Sequence, residues 1–279
     1  MLDEEALKKD HAVVTLEKDT VIRFKSLPNA NTIVLLKGKA SRRISLGRKF
    51  LFLHYEVGTY LGLEDMLMAT TTESMYKIYA GSQYVIWNVK DFMDLFQIQL
   101  NVTYDAIIYL SRQLRIYNTR GKKFVSSRIE TILDVGQAQE DLQETLYQIS
   151  FSNENEIPTE IATQILQTYR TGDILMREGE LTNELFILTE GSVTVYQKDE
   201  NNDCEYGKEV AQLNATTMIG EMAQFDGLPR SATIVANTNL KTLVFKPENF
   251  NMVFQLHPKW SKMILNSLAQ RIINVRNAL

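Results

Sequence analysis

A chain written twice has to fold twice, and that requirement precedes any reading of individual residues. EKDTVIRFKSLPNANTIVLLKGKA (17–40) lies without a gap over RTGDILMREGELTNELFILTEGSV (170–193), Asp19 standing against Gly172. Val21-Ile22 then falls on Ile174-Leu175, Ile33-Val34-Leu35 on Phe186-Ile187-Leu188, and Gly38 on Gly191. Further on, VIWNVKDF (85–92) lies over LVFKPENF (243–250). Dense apolar runs broken by Gly or Asn turns predict short β-strands, and many such strands predict a small barrel or sandwich in each half.

Each strand region is followed by a helical pattern. In WSKMILNSLAQRIINV the apolar residues Trp260, Met263, Ile264, Leu268 and Ile272 recur at three and four, the spacing of one helix face. A length of 279 residues accommodates two domains. The expected division is residues 10–118, a helical connector over 119–155 that includes ILDVGQAQEDLQETLYQI, and residues 156–279.

The most informative local stretch is IGEMAQFDGLPRSATI (219–234). It sets a Gly-Glu pair a short distance before a Pro-Arg-Ser. With GDILMREGE, FILTEGSVTVY and LVFKPENF around it, most of 156–279 resembles the cyclic nucleotide-binding domain family. The family's phosphate-binding cassette has Gly-Glu, a short helix, a loop, then Arg followed by small residues. Gly220-Glu221 and Arg230-Ser231-Ala232 match both ends.

The resemblance implies two tandem jelly-roll-like β-barrel domains with flanking helices, a mainly β (α+β) chain, the first domain degenerate. It also implies a ligand, cAMP in preference to cGMP. Gly220 would let the backbone approach, since it lacks a Cβ. Arg230 would present a fork of donors to the cyclic phosphate, and Glu221 would accept from the ribose 2′-OH. Backbone N–H groups around Met222 and Ala232 would help hold the ligand, with Ser231 beside the phosphate or the base. A hydroxyl after the arginine can favour cGMP, yet bacterial cAMP receptors also carry Ser there. The C-terminal helix, from about 257 to 279, would close over the base as a lid.

The first half departs from this pattern. In GTYLGLEDMLMATTTESMYKIYA (58–80), Gly62 takes the place of Gly220 and Leu63 that of Glu221. Counting back from Ala80 and from Ala236 puts Ser74 at the place of Arg230, and no Arg or Lys lies between Gly62 and Met75. A charge-assisted hydrogen bond contributes about 1.5–3 kcal/mol, or about one to two decades of affinity. The first domain is therefore expected to bind no nucleotide and to serve packing, dimerisation or partner contact.

Other signals point to fewer functions. SRRISLG (41–47) matches a kinase recognition consensus, but it lies inside the first repeat; it reads as a polar edge strand blunted by arginines. RQLRIYNTRGKKFVSSR (112–128) is basic, the pattern of a helix end and a solvated connector. His11, His54 and His257 are too scattered for a metal site, and Cys204 is the one cysteine. No nucleophile, Walker A or paired-carboxylate motif argues for an enzyme. A net charge of −4 gives no global basic field for nucleic acid.

No apolar run approaches the ~20 residues of a membrane span, and MLDEEALKKD is not a signal peptide. The chain therefore reads as a cytoplasmic sensor or regulator that changes conformation on binding a cyclic nucleotide, acting through a protein partner of unspecified identity; a homodimer is compatible. The alternatives are a transcription regulator of catabolite activator type, for which no recognition helix is visible, a kinase regulatory subunit, and a ligand-free scaffold.

Overall fold

The computed structural model describes residues 11–24, 31–46, 49–69, 74–98, 100–121, 166–199, 204–215, 217–247 and 258–278. It comprises two compact units, one of Met1–Ser126 with Leu265–Leu279, the other of Ser127–Ile264. The expected connector lies outside the described residues beyond residue 121, as do His257 and the basic run after that point.

In the first unit the order is β1 (Val14–Thr15), β2 (Thr20–Arg23), β3 (Asn31–Lys37), β4 (Ala40–Leu46), β5 (Lys49–Tyr55), β6 (Tyr60–Leu61), α1 (Leu63–Leu67), β7 (Met75–Ile78), β8 (Gln83–Asn88), α2 (Val89–Ile98) and α3 (Leu100–Gly121). The second unit has β9 (Leu166–Tyr169), β10 (Ile174–Met176), β11 (Leu185–Glu190), β12 (Ser192–Gln197), β13 (Lys208–Asn214), β14 (Met218–Ile219), α4 (Glu221–Asp226), β15 (Thr233–Ala236) and β16 (Leu240–Phe245). Helix α5 (Pro258–Ala278) follows, and from Leu265 onward it belongs to the first unit.

The two halves share one topology. The first unit has antiparallel sheets ordered β1-β8-β3-β6 and β2-β7-β4-β5; the second has β9-β16-β11-β14 and β10-β15-β12-β13. Each strand thus has a counterpart eight places on, with the same neighbours. The architecture is mainly β and jelly-roll-like, as expected, built as two four-stranded sheets per unit rather than one continuously bonded barrel. Burial follows from sequence. β7 alternates exposed and buried residues, whereas β3 is buried from Asn31 to Leu36, so one is a half-covered strand and the other a central one. In the second unit Met176, Phe186, Leu188, Val193, Ile219, Ile234, Ala236, Leu240 and Val244 form the core. In the first, Tyr60 meets Phe92 and Tyr109 edge-on or tilted at 6.3 and 6.0 Å, packing α2 and α3 against β6. In α5 the predicted face is the buried one at Ile264, Leu268 and Ile272.

Register tests the repeat residue by residue. Ile33 pairs with Ile86 and Leu61, while Phe186 pairs with Val244 and Ile219. The alignment therefore holds at these strands, and Gly62 corresponds to Gly220. It slips at β7. Ala40 pairs with Ile78 where Val193 pairs with Ala236, so Ile78, not Ala80, is the counterpart of Ala236. Ser74 then corresponds to Ala232 rather than to Arg230. The count went astray because Ala80 lies in the turn beyond β7 and matches Ala236 only in residue type.

The edge-strand reading of SRRISLG is also corrected. β4 lies between β7 and β5, and Arg42 is 6% exposed. Its side chain enters the interior of the unit, where the buried Glu64 carboxylate receives it.

Candidate functional site

The second unit's cassette is built by backbone geometry before side chains act. β14 ends at Ile219 against Phe186 of β11, and the chain turns at once into α4. That turn puts Gly220 in the left-handed region, with φ 84° and ψ 0°. A Cβ there would lie 2.7 Å from the Glu184 carbonyl oxygen and 2.7 Å from Arg230 Nη1, so glycine is required by both conformation and space. Gly227 closes α4 in the same region. The loop then returns to β15 through Arg230, whose N–H donates to Glu180 O and whose carbonyl accepts from Gly179 N–H, each at 2.9 Å.

Arg230 is the buried cation of this site, 3% exposed. Its Nη1 donates to Gly220 O at 3.1 Å, its Nε to Thr182 Oγ1 at 2.9 Å and its Nη2 to Glu184 Oε2 at 3.0 Å. The guanidinium also lies 5.9 Å from the Phe186 ring centroid. Burial pulls its pKa below the usual arginine value, opposed chiefly by the Glu184 carboxylate. The Glu184 side chain is 34% exposed while that of Arg230 is 1% exposed. The cation is thus enclosed, and its carboxylate partner faces water.

The other predicted residues surround this pair. Glu221, at the start of α4, is buried and acts electrostatically on Arg230. Met222 is buried with its sulfur 3.7 Å from Ser231 Oγ. The Ser231 carbonyl accepts from Gln197 Nε2 at 3.2 Å, and Ala232 is buried at the start of the return to β15. The structure therefore brings Gly220 and Arg230 into direct contact, and likewise Met222 and Ser231. Thr182, Glu184 and Gln197 were not singled out in the sequence. The signal for Glu184 was a carboxylate in LTNE immediately before β11, the strand that pairs with the start of the cassette.

The first unit's cassette has the same backbone and different chemistry. Gly62 caps α1 with φ 75° and ψ 16°, and a Cβ there would meet the Phe24 ring at 2.5 Å. Behind it, Glu64 and Asp65 are buried and bonded to arginines. Among the described residues there is no group of side chains suited to a metal ion, and no helix long and apolar enough to cross a membrane.

Comparison with known proteins agrees with the cassette's position. The family model for the cyclic nucleotide-binding domain matches residues 166–257. A cyclic nucleotide-gated potassium channel of Rhizobium etli is 30% identical over 100 residues, which are 36% of this chain and 26% of the channel. The cAMP-activated global transcriptional regulator CRP of Salmonella typhimurium is 29% identical over 110 residues, 38% of this chain and 50% of that protein. The match thus spans between a quarter and a half of these relatives' own length. A crystal structure of the regulatory domain of Toxoplasma gondii PKA with cAMP aligns over 94% of this chain and 89% of its own, at 13% identity and a TM-score of 0.31. The second unit therefore carries a cyclic nucleotide-binding domain.

Proposed function

We propose that the second unit binds one cyclic nucleotide, cAMP in preference to cGMP, and that the chain is a non-enzymatic cytoplasmic regulator responding to it. The observation carrying this reading is Arg230, a buried guanidinium tied to the backbone of the cassette's opening glycine. Its carboxylate partner is partly exposed. A cyclic phosphate carries one negative charge and two outward oxygens, matching a planar fork of donors. In this reading it displaces Glu184 from Arg230. Glu221 takes the ribose 2′-OH, Gly220 admits the ligand to the backbone, the N–H groups near Met222 and Ala232 complete the cradle, and Ser231 lies beside phosphate or base.

The response is a population shift: exchanging Glu184 for phosphate changes what holds the loop of residues 181–184 and α4. The lid role of the C-terminal helix, from about 257 to 279, belongs to the same proposal. The domains over 10–118 and 156–279, with a connector between them, are the corresponding division of labour.

Calorimetric titration of the purified chain with cAMP and cGMP tests this. One site per chain is expected, tighter for cAMP and weakened at least about tenfold by Arg230→Ala. Equal affinity in wild type and variant, or no binding of either nucleotide, overturns it.

A further inference from the structure

The charge of the first cassette is reversed. Where α4 presents Met222 and Ala223, α1 presents Glu64 and Asp65 by the register of β6 and β14. Their side chains are 3% and 5% exposed. Two arginines neutralise them. Arg42 comes from β4, at a position held in the second unit by Val195. Its Nη1 donates to Glu64 Oε1 at 3.1 Å and to the Tyr76 hydroxyl at 3.0 Å, and its Nη2 to Ser74 Oγ at 2.7 Å. Ser74 Oγ in turn donates to Asp65 Oδ2 at 2.6 Å. Arg276 arrives on the last turn of α5. Its Nη1 donates to Asp65 Oδ2 at 3.1 Å and reaches Glu64 Oε1 at 3.4 Å, while its Nη2 donates to Asp65 Oδ1. The Arg276 side chain is 7% exposed.

The two arginines have different standing. Arg42 is part of the sheet that forms the site. Arg276 is more than two hundred residues away in sequence, on a helix that buries Leu265, Leu268, Ala269, Ile272 and Ile273, and it enters as a ligand does, forked onto one carboxylate. The acceptor capacity is not exhausted. Glu64 Oε2 and the Tyr117 hydroxyl are buried without a partner among the described residues. An anion placed here would face two carboxylates and find both cations already engaged.

We propose that the first unit's cassette is a guanidinium-binding site whose resident ligand is Arg276, so that it anchors the end of the C-terminal helix and is closed to nucleotides. The anchor lies within one unit, and it needs no nucleotide. Its failure is therefore distinguishable from failure of the reading of the second unit.

The test is hydrogen–deuterium exchange of the full chain without nucleotide, read over residues 265–278 and over α1. Arg276→Ala should speed exchange in both segments at least about tenfold while the β-strands stay protected. Millimolar ethylguanidinium, which fills the site without tethering the helix, should restore protection in α1 only, and Arg276→Lys should restore it incompletely in both segments, because an ammonium cannot fork onto Asp65. If Arg276→Ala does not fold, the near-isosteric Asp65→Asn is read in the same way. Unchanged exchange overturns the proposal. So does full protection in the lysine variant without response to ethylguanidinium, or a second nucleotide site per chain appearing in Arg276→Ala.

Discussion

Arg230 and Glu184 form a pair whose members are unequal in burial, and the inequality sets what each substitution does. A surface pair is worth about 0–1 kcal/mol, but this guanidinium is enclosed and would lose its charge partner without gaining water. Replacing Glu184 by Gln keeps the shape and removes the competitor for the phosphate. We expect E184Q to bind cAMP about tenfold more tightly than wild type; unchanged or weaker binding in the titration would mean that Glu184 orients Arg230 rather than opposing the ligand. Gly220→Ala fails differently. A Cβ at φ 84° meets the Glu184 carbonyl oxygen, which is backbone and cannot swing aside. The strain, about 1–3 kcal/mol, should lower the urea midpoint of the second unit. At this scale the sequence was informative where residue type is compulsory. Gly62 and Gly220 could be paired from sequence because only glycine suits that turn. Ser74 was misplaced because Ala80, in the turn beyond β7, matches Ala236 in residue type but not in register.

Among the elements, β4 carries more than its sequence reveals. SRRISL has the look of a solvated strand, since arginines are common on edges. Strand order decides otherwise: with β7 on one side and β5 on the other, alternate side chains point inward, and Arg42 is on that face. A buried arginine is tolerable only with a carboxylate to meet it, and that carboxylate, Glu64, lies 22 residues away in sequence, on α1. No local pattern could have joined them. Breaking a buried pair by removing one partner costs about 3–5 kcal/mol, so Arg42→Met should destabilise the first unit on that scale; a change near zero in chemical denaturation would contradict the enclosure described. Glu64 supplies a pH test. Burial first, then the neighbouring Asp65, raises its pKa, against the lowering effect of Arg42 and Arg276. A raised carboxyl pKa means the folded state holds the proton more tightly than the unfolded one. Its contribution therefore makes stability fall as pH rises from the ordinary glutamate range through the raised value. Comparing wild type with Glu64→Gln by denaturation at several pH values should show that decline diminished in the variant. A parallel pH dependence in both proteins would remove Glu64 as its source.

At the level of the whole molecule, one fold is used with two opposite charge assignments. The duplication was readable because strands β3 and β11, and β8 and β16, keep their apolar runs in the same register. What each copy does with its cassette was readable only in part. The absence of an arginine from 62–75 is legible in the sequence, but the arginines that meet Glu64 and Asp65 come from β4 and α5, outside that stretch. If the second unit alone binds nucleotide, as proposed, the two compact units should respond unequally to ligand. A ligand that binds only the native state stabilises by about 2.7 kcal/mol at a hundred times its Kd. Followed by segment-resolved hydrogen exchange under increasing urea, saturating cAMP should raise the unfolding midpoint of strands β10 to β16 and leave that of β2 to β8 where it was. Equal stabilisation of both sets would mean either a second nucleotide site or a single cooperative unfolding unit, and the stoichiometry of the same titration separates these. Two nucleotides per chain would return the first cassette to nucleotide binding, whereas one would make the energetic linkage between the repeats the property to explain.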